Sequence, residues 1–249
     1  MEVYDRDGKP IVDWRGWTRP KKDAQWRAGR SAMELARAWF TSRVPATPPE
    51  IRQLLDSNEM TAGAQIQSGW PELVTPLPFR GEGRNHDLVL MAELRGEPLL
   101  ITVEGKVDET MGPAIGAYWT KSRASERSNA WRRVDALLTT VFGPEARATD
   151  MPWSGLPYQM LTALVGTAIE ARARSCPLAV LCVHELLTES AKPLHVHRNE
   201  ADFRIFLAAL GVPDPIAGKL YGPYDVLLPN QTAAMPVLIG KAQFHWAAR

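Results

Sequence analysis

An α/β fold, with a mixed central sheet flanked by helices, is what this 249-residue sequence predicts. Two apolar runs, Asp87–Met91 and Leu99–Val103, flank the turn Arg95-Gly96-Glu97-Pro98 and together spell a β-hairpin. A third run, Leu178–Val183, is continuously apolar, the pattern of a strand buried on both faces. Between these runs lie stretches whose apolar residues recur at helical spacing.

The elements follow in order. Residues 1–26 read as an irregular polar arm, closed down by Trp14, Trp17 and Trp26 and carrying the basic cluster Arg19, Lys21 and Lys22. From Arg27 to Phe40, a helix places Ala32, Leu35, Ala36 and Trp39 on one side. Pro45, Pro48 and Pro49 break it, and a short helix runs from Pro49 to Asp56. Residues 60–82 have no clear period, although Glu72-Leu73-Val74 suits a short strand. The hairpin occupies 86–104. Gly112, Pro113 and Gly116 make 107–122 a loop. Helices are expected over Ala124–Phe142 and Tyr158–Arg174, then the buried strand 178–183. A helix Ala201–Leu210 stops at Gly211 and Pro213, and late strands fall at Val226–Leu228 and Val237–Ile239. The expected organisation is one domain: an arm (1–26), a core (27–184) and a C-terminal extension (185–249) packed on it.

Composition narrows the function. A chain this long and 45% hydrophobic supports one sizeable core. A formal net charge of +1 gives no global basic field, so a polyanion must be held by a local patch. Cys176 and Cys182 lack metal-ligand spacing and read as buried thiols of a reducing compartment. No apolar run approaches the roughly 18 residues of a membrane helix, and the start lacks a signal core. A soluble, cytoplasmic protein is expected.

The chemistry concentrates at the hairpin end. Glu104 and Lys106, separated by one residue, share a strand face. Antiparallel pairing brings Asp87, near the start of the first strand, beside Glu104. Magnesium is a hard cation held by one or two carboxylates plus phosphate oxygens and waters. Asp87 and Glu104 supply that pair, with the Gly105 carbonyl as a third oxygen. Lys106 would orient the attacking water and stabilise developing charge. The same residues also suit a solvated hairpin end with a surface ion pair. Against that stands the buried quality of Leu99–Val103, since a charge ending such a strand is costly unless paired or metal-bound.

The pattern Asp87 … Glu104-Gly105-Lys106 on a hairpin resembles the PD-(D/E)xK nuclease superfamily, with its restriction-endonuclease-like fold. The resemblance covers most of 27–184 and implies a core ordered helix, three strands, helix, strand. The family's proline before the Asp is absent; His86 stands there. It implies a metal-dependent nuclease acting on DNA with Mg²⁺ or Mn²⁺, in which Asp87, Glu104 and Gly105 hold the ion. Glu34 in the first helix matches an extra acidic ligand, and Gln159 matches a polar residue near the metal. Glu34 equally suits an exposed helix face, and Gln159 helix-start capping. A catalytically inactive member, serving as a binding module, is the alternative. Double-strand cleavage calls for two sites and hence a homodimer. A role in bacterial defence or genome maintenance follows by analogy alone.

Two further sets remain. Lys121, Arg123, Arg127, Arg132 and Arg133, with Trp119 and Trp131, could track a phosphate backbone and stack bases, or form a solvated helix face. His195 and His197 on one strand face, with His184, could bind zinc.

Overall fold

A computed structural model describes residues 1–40, 44–79, 81–107, 109–125, 128–188 and 191–245. It is α/β: a mixed seven-stranded sheet flanked by helices. The strands are β1 (Glu2–Val3), β2 (Gln65–Thr75), β3 (Arg84–Leu94), β4 (Glu97–Lys106), β5 (Leu178–Leu187), β6 (Leu220–Val226) and β7 (Met235–His245). The helices are α1 (Ser31–Trp39), α2 (Pro49–Asp56), α3 (Ile115–Arg123), α4 (Ala130–Phe142), α5 (Tyr158–Ala173) and α6 (Pro193–Ala209). The sheet order is β1-β2-β3-β4-β5-β7-β6. β2, β3 and β4 form an antiparallel meander, β5 and β7 run parallel to β4, and β6 returns antiparallel at the edge.

Arm, core and extension all contribute strands to this sheet. The arm is less irregular than its composition suggests, because Glu2–Val3 pairs with Ser68 and Gly69 of β2. Its tryptophans do close it down. Trp17 is buried edge-on against Phe40, and Trp14 lies near Trp26. The stretch 60–82, aperiodic in sequence, holds β2. The expected loop 107–122 contains α3, and the expected helix from Ala124 begins at Ala130. The last helix starts at Pro193 and not Ala201, so His195 and His197 lie on α6 and not on a strand.

Each face of the sheet carries a core. One is built from α1 and α2 against Leu88, Leu90, Ile101, Val103 and Val180. The other is built from α4, α5 and α6 against Val89, Leu100, Leu181, Val183 and Ile239. α5 is buried nearly all round, which explains why its apolar residues show so little helical bias. No helix among the described residues is long and apolar enough to cross a membrane.

Candidate active site at the end of the β3–β4 hairpin

Side chains alternate along a strand, so a reset of that alternation is visible as a change of face. In β2, Gly69 lies against Leu88 and Leu90, in the core of α1 and α2. Thr75 should share that face, yet its hydroxyl donates to Glu170 of α5 at 2.7 Å. The reset falls at Glu72, whose φ of 54° is left-handed and uncommon for a residue with a Cβ. β3 behaves likewise. Leu88 and Leu90 face the first core, whereas Arg84 and His86 lie against Gly166 of α5. Asp87 is the residue between. Pro71 pairs with Leu88 and Leu73 with His86, so Glu72 and Asp87 stand opposite one another where both strands turn over.

The hairpin parts at the same level. Its last pair is Leu88 with Val103. Asp87 therefore comes beside the Glu104–Lys106 end, as expected, but it does not bond Glu104 directly. Its Oδ2 accepts the Gly105 N–H at 2.8 Å. Gly105 faces α1; a Cβ there would stand 3.5 Å from Leu35 and 3.6 Å from Ser31. Glu104 and Lys106 point to the opposite side, toward α5.

Glu104 is buried and surrounded by donors. Lys106 Nζ lies 2.9 Å from its Oε1, and Gln159 Nε2 donates to the same oxygen at 2.6 Å. Gln159 Oε1 in turn accepts from Lys106 Nζ at 2.9 Å. The Arg84 guanidinium makes an ion pair with the other oxygen, Oε2. These residues, with Asp87 and Glu72, line a cavity of about 410 Å³. Tyr118 and Tyr158, stacked with ring centroids 4.1 Å apart, form part of its wall. The arm contributes Pro20 and Gln25, and the loop before β3 contributes Glu82 and Gly83. Arm and loop are joined by an exposed Lys21–Glu82 pair at 3.3 Å.

Burial shifts the titrating groups here. Lys106 is lowered to about 8, because burial disfavours its ammonium more than Asp87 favours it. Glu72 is raised to about 7 by burial and by the Asp87 charge, against the Asn85 amide that donates to it at 2.5 Å. Asp87 is also raised by burial, opposed by Lys106, Arg84 and the Gly105 N–H.

The remaining sequence-predicted residues divide. Glu34 is buried but does not line the cavity; its Oε1 accepts from Gly29 N–H at 2.8 Å and Arg37 at 3.0 Å, which ties the segment leading into α1 to that helix. Arg133 is not part of an exposed basic face. It is buried, and its guanidinium donates to the carbonyls of Pro78, Phe79 and Glu82 at 3.1, 3.2 and 2.7 Å, clamping the loop over the cavity. Arg123 and Arg132 are exposed. Arg123 lies 5.1 Å from Trp119 and 4.8 Å from Trp131, and Arg132 lies 5.0 Å from Trp131. Arg127 lies outside the described residues. His184 is buried in β5 and bonds Glu50 at 2.7 Å, away from the two α6 histidines. Among the described residues, no group of three or more His, Cys, Asp or Glu is placed to hold a metal.

Sequence reasoning noted Tyr158 as a residue that could stack on a base or pack, but missed Tyr118, Glu72 and Arg84. The local signal at Glu72 was a charge within a strand-like segment, whereas Arg84 stood in the Gly81-Glu82-Gly83-Arg84 loop before the expected hairpin.

No curated protein and no solved structure matches the chain. A family model described as a domain of unknown function (DUF6946) matches residues 9–245. That span takes in every element of the sheet except β1, together with the whole candidate site, and the chain belongs to this family.

Proposed function

We propose that the protein is a metal-dependent nuclease with a restriction-endonuclease-like core, hydrolysing phosphodiester bonds of DNA. One observation carries this reading: Asp87, Glu104, Lys106 and Gln159, drawn from β3, β4 and α5, meet in one cavity. The succession α1, β2, β3, β4, α5, β5, with α2 inserted before β2 and α3 and α4 before α5, supports it.

The donor set suits Mg²⁺ or Mn²⁺. Two carboxylates approach from two strands, and hard cations are commonly held by such a pair with substrate and water oxygens. Glu104 Oε2 is a buried acceptor that makes no hydrogen bond of ordinary geometry, meeting only the Arg84 charge among the described residues. Asp87 and Glu104 would hold the ion; Gly105, expected to add its carbonyl, is not among the residues that line the cavity. When bound, it would polarise the phosphoryl group and acidify a water. The chain's own groups do the rest. The Gly105 N–H fixes the Asp87 carboxylate. Gln159 bridges Glu104 and Lys106 and sets their spacing. Lys106, still largely an ammonium at neutral pH, holds the attacking oxygen and offsets charge developing on phosphorus-bound oxygens. Arg123 and Arg132, exposed beside Trp119 and Trp131, supply phosphate and base contacts.

A second reading, an inactive module that keeps the fold for binding, is favoured by one contact: Arg84 already neutralises Glu104. Cleavage of labelled DNA in Mg²⁺ and Mn²⁺ decides between them. The nuclease reading expects cleavage that EDTA stops and that Asp87→Asn, Glu104→Gln and Lys106→Met each abolish, with the circular dichroism of the folded protein unchanged. Absence of cleavage by the wild type with either ion, or its persistence in these variants, refutes it.

A further inference from the structure

Arg84 is built into the floor of the cavity. It is buried, and its stem lies on α5 where Gly166 leaves room; a Cβ at 166 would stand 2.9 Å from Arg84 Cγ and 3.1 Å from its Cβ. Its guanidinium pairs with Glu104 and is close enough to Asp87 and Glu72 to feel both charges. With Lys106 on the other oxygen of Glu104, Arg84 thus stands among three carboxylates, two of which a divalent ion would need. Yet the fit is incomplete. Among the described residues Arg84 Nε is buried without a hydrogen-bond partner, so they do not lock the guanidinium with a full set of acceptors. Lys106 and Gln159 both bond Oε1, which among the described residues leaves Glu104 Oε2 to Arg84.

We propose that Arg84 is a positioning residue that holds the divalent-ion place on Glu104 in the resting protein, and that ion binding requires its guanidinium to leave Oε2. The proposal rests on the nuclease reading of the same cavity. It also reconciles the two readings above, since a displaceable arginine neutralises Glu104 without abolishing the site. A binding-competent state that is only fractionally populated weakens apparent affinity by that fraction. If Arg84 covers Glu104 about nine-tenths of the time, removing it tightens ion binding about tenfold.

The test is Mn²⁺ calorimetry on the full chain. Arg84→Met is expected to bind Mn²⁺ at least about tenfold more tightly than wild type. Lys21→Met, which removes an equal charge from the exposed Lys21–Glu82 pair, should change affinity less than about twofold. The direct readout is the Arg84 Nε–H resonance of the wild type, assigned by its absence in Arg84→Lys. It should shift on adding Mg²⁺, and this arm stands even where Arg84→Met fails to fold. Equal or weaker Mn²⁺ binding by folded Arg84→Met, or Mg²⁺ binding with no movement of that resonance, overturns the role of Arg84 while leaving the nuclease reading intact. No binding of either ion to wild type or to Arg84→Met overturns both.

Discussion

Lys106 Nζ lies 2.9 Å from Glu104 Oε1, on the same face of β4, with both side chains buried. A buried ion pair of this kind is a poor source of stability, because desolvation offsets much of the attraction. At a cavity wall it suits the chemistry proposed above. Gln159 completes a triangle with the two, so neither charge is held by the other alone.

Lys106 titrates near pH 8, and its proposed role needs the charged form. Cleavage should therefore decline above about pH 8, as the ammonium is lost. Lys106→Arg keeps a permanent charge, so that variant is expected to be slower but to lack the alkaline decline. Profiles of kcat/KM against pH for both proteins check this.

Gln159→Leu removes both bridging bonds while keeping a side chain of similar size at the start of α5. Supporting residues of metal sites typically contribute about 10–100-fold in activity or ion affinity when removed. A loss of that size is expected, with little change in the urea midpoint. A loss below about twofold would deny Gln159 its positioning role.

Glu72 gives a stability effect of defined sign. Its folded pKa is raised, from 4.5 to about 7. The neutral acid is thus favoured by folding, and its contribution is complete below pH 4.5 and lost as pH rises through 7. Each unit corresponds to about 1.4 kcal/mol, so the loss is of order 3 kcal/mol by pH 8. Glu72→Gln keeps an acceptor for Asn85 without the charge. It should be more stable than wild type at pH 8 and similar at pH 5, as measured by urea unfolding.

Arg133 and its neighbours Arg123 and Arg132 should separate cleanly. Arg133→Met frees three loop carbonyls and leaves a gap, at a cost of about 3 kcal/mol, and should expose residues 78–83 to proteases. Arg123→Ala and Arg132→Ala should change stability by less than about 0.5 kcal/mol.

The same two exposed variants test the surface beside Trp119 and Trp131. Each arginine that contacts a phosphate adds roughly one unit to the salt dependence of binding. Each variant should weaken DNA binding across sequences alike and lower that slope by about one, read by fluorescence anisotropy over a salt series. An unchanged slope removes this surface from the interface.

Much of the sheet was legible in local pattern. The hairpin, β5, α5 and the convergence of Asp87 on the Glu104–Lys106 end all follow from apolar runs, one turn and antiparallel geometry. β2 was harder to see, because Gly69, Pro71 and the left-handed Glu72 interrupt its alternation. α3 was hidden by Gly112, Pro113 and Gly116, two of which precede the helix and one of which packs against Ser154.

By itself the sequence determined an α/β sheet and the chemical groups at one strand end, since hydrophobic period and turn residues act over a few neighbours. Tertiary structure alone decided what surrounds those groups. The turnover at Glu72 and Asp87 puts Arg84 on the face of α5, where Gly166 makes room and Glu104 supplies the opposite charge. That arrangement depends on which core each strand segment faces, a matter of packing between residues 20 to 82 positions apart, and no local periodicity carries it.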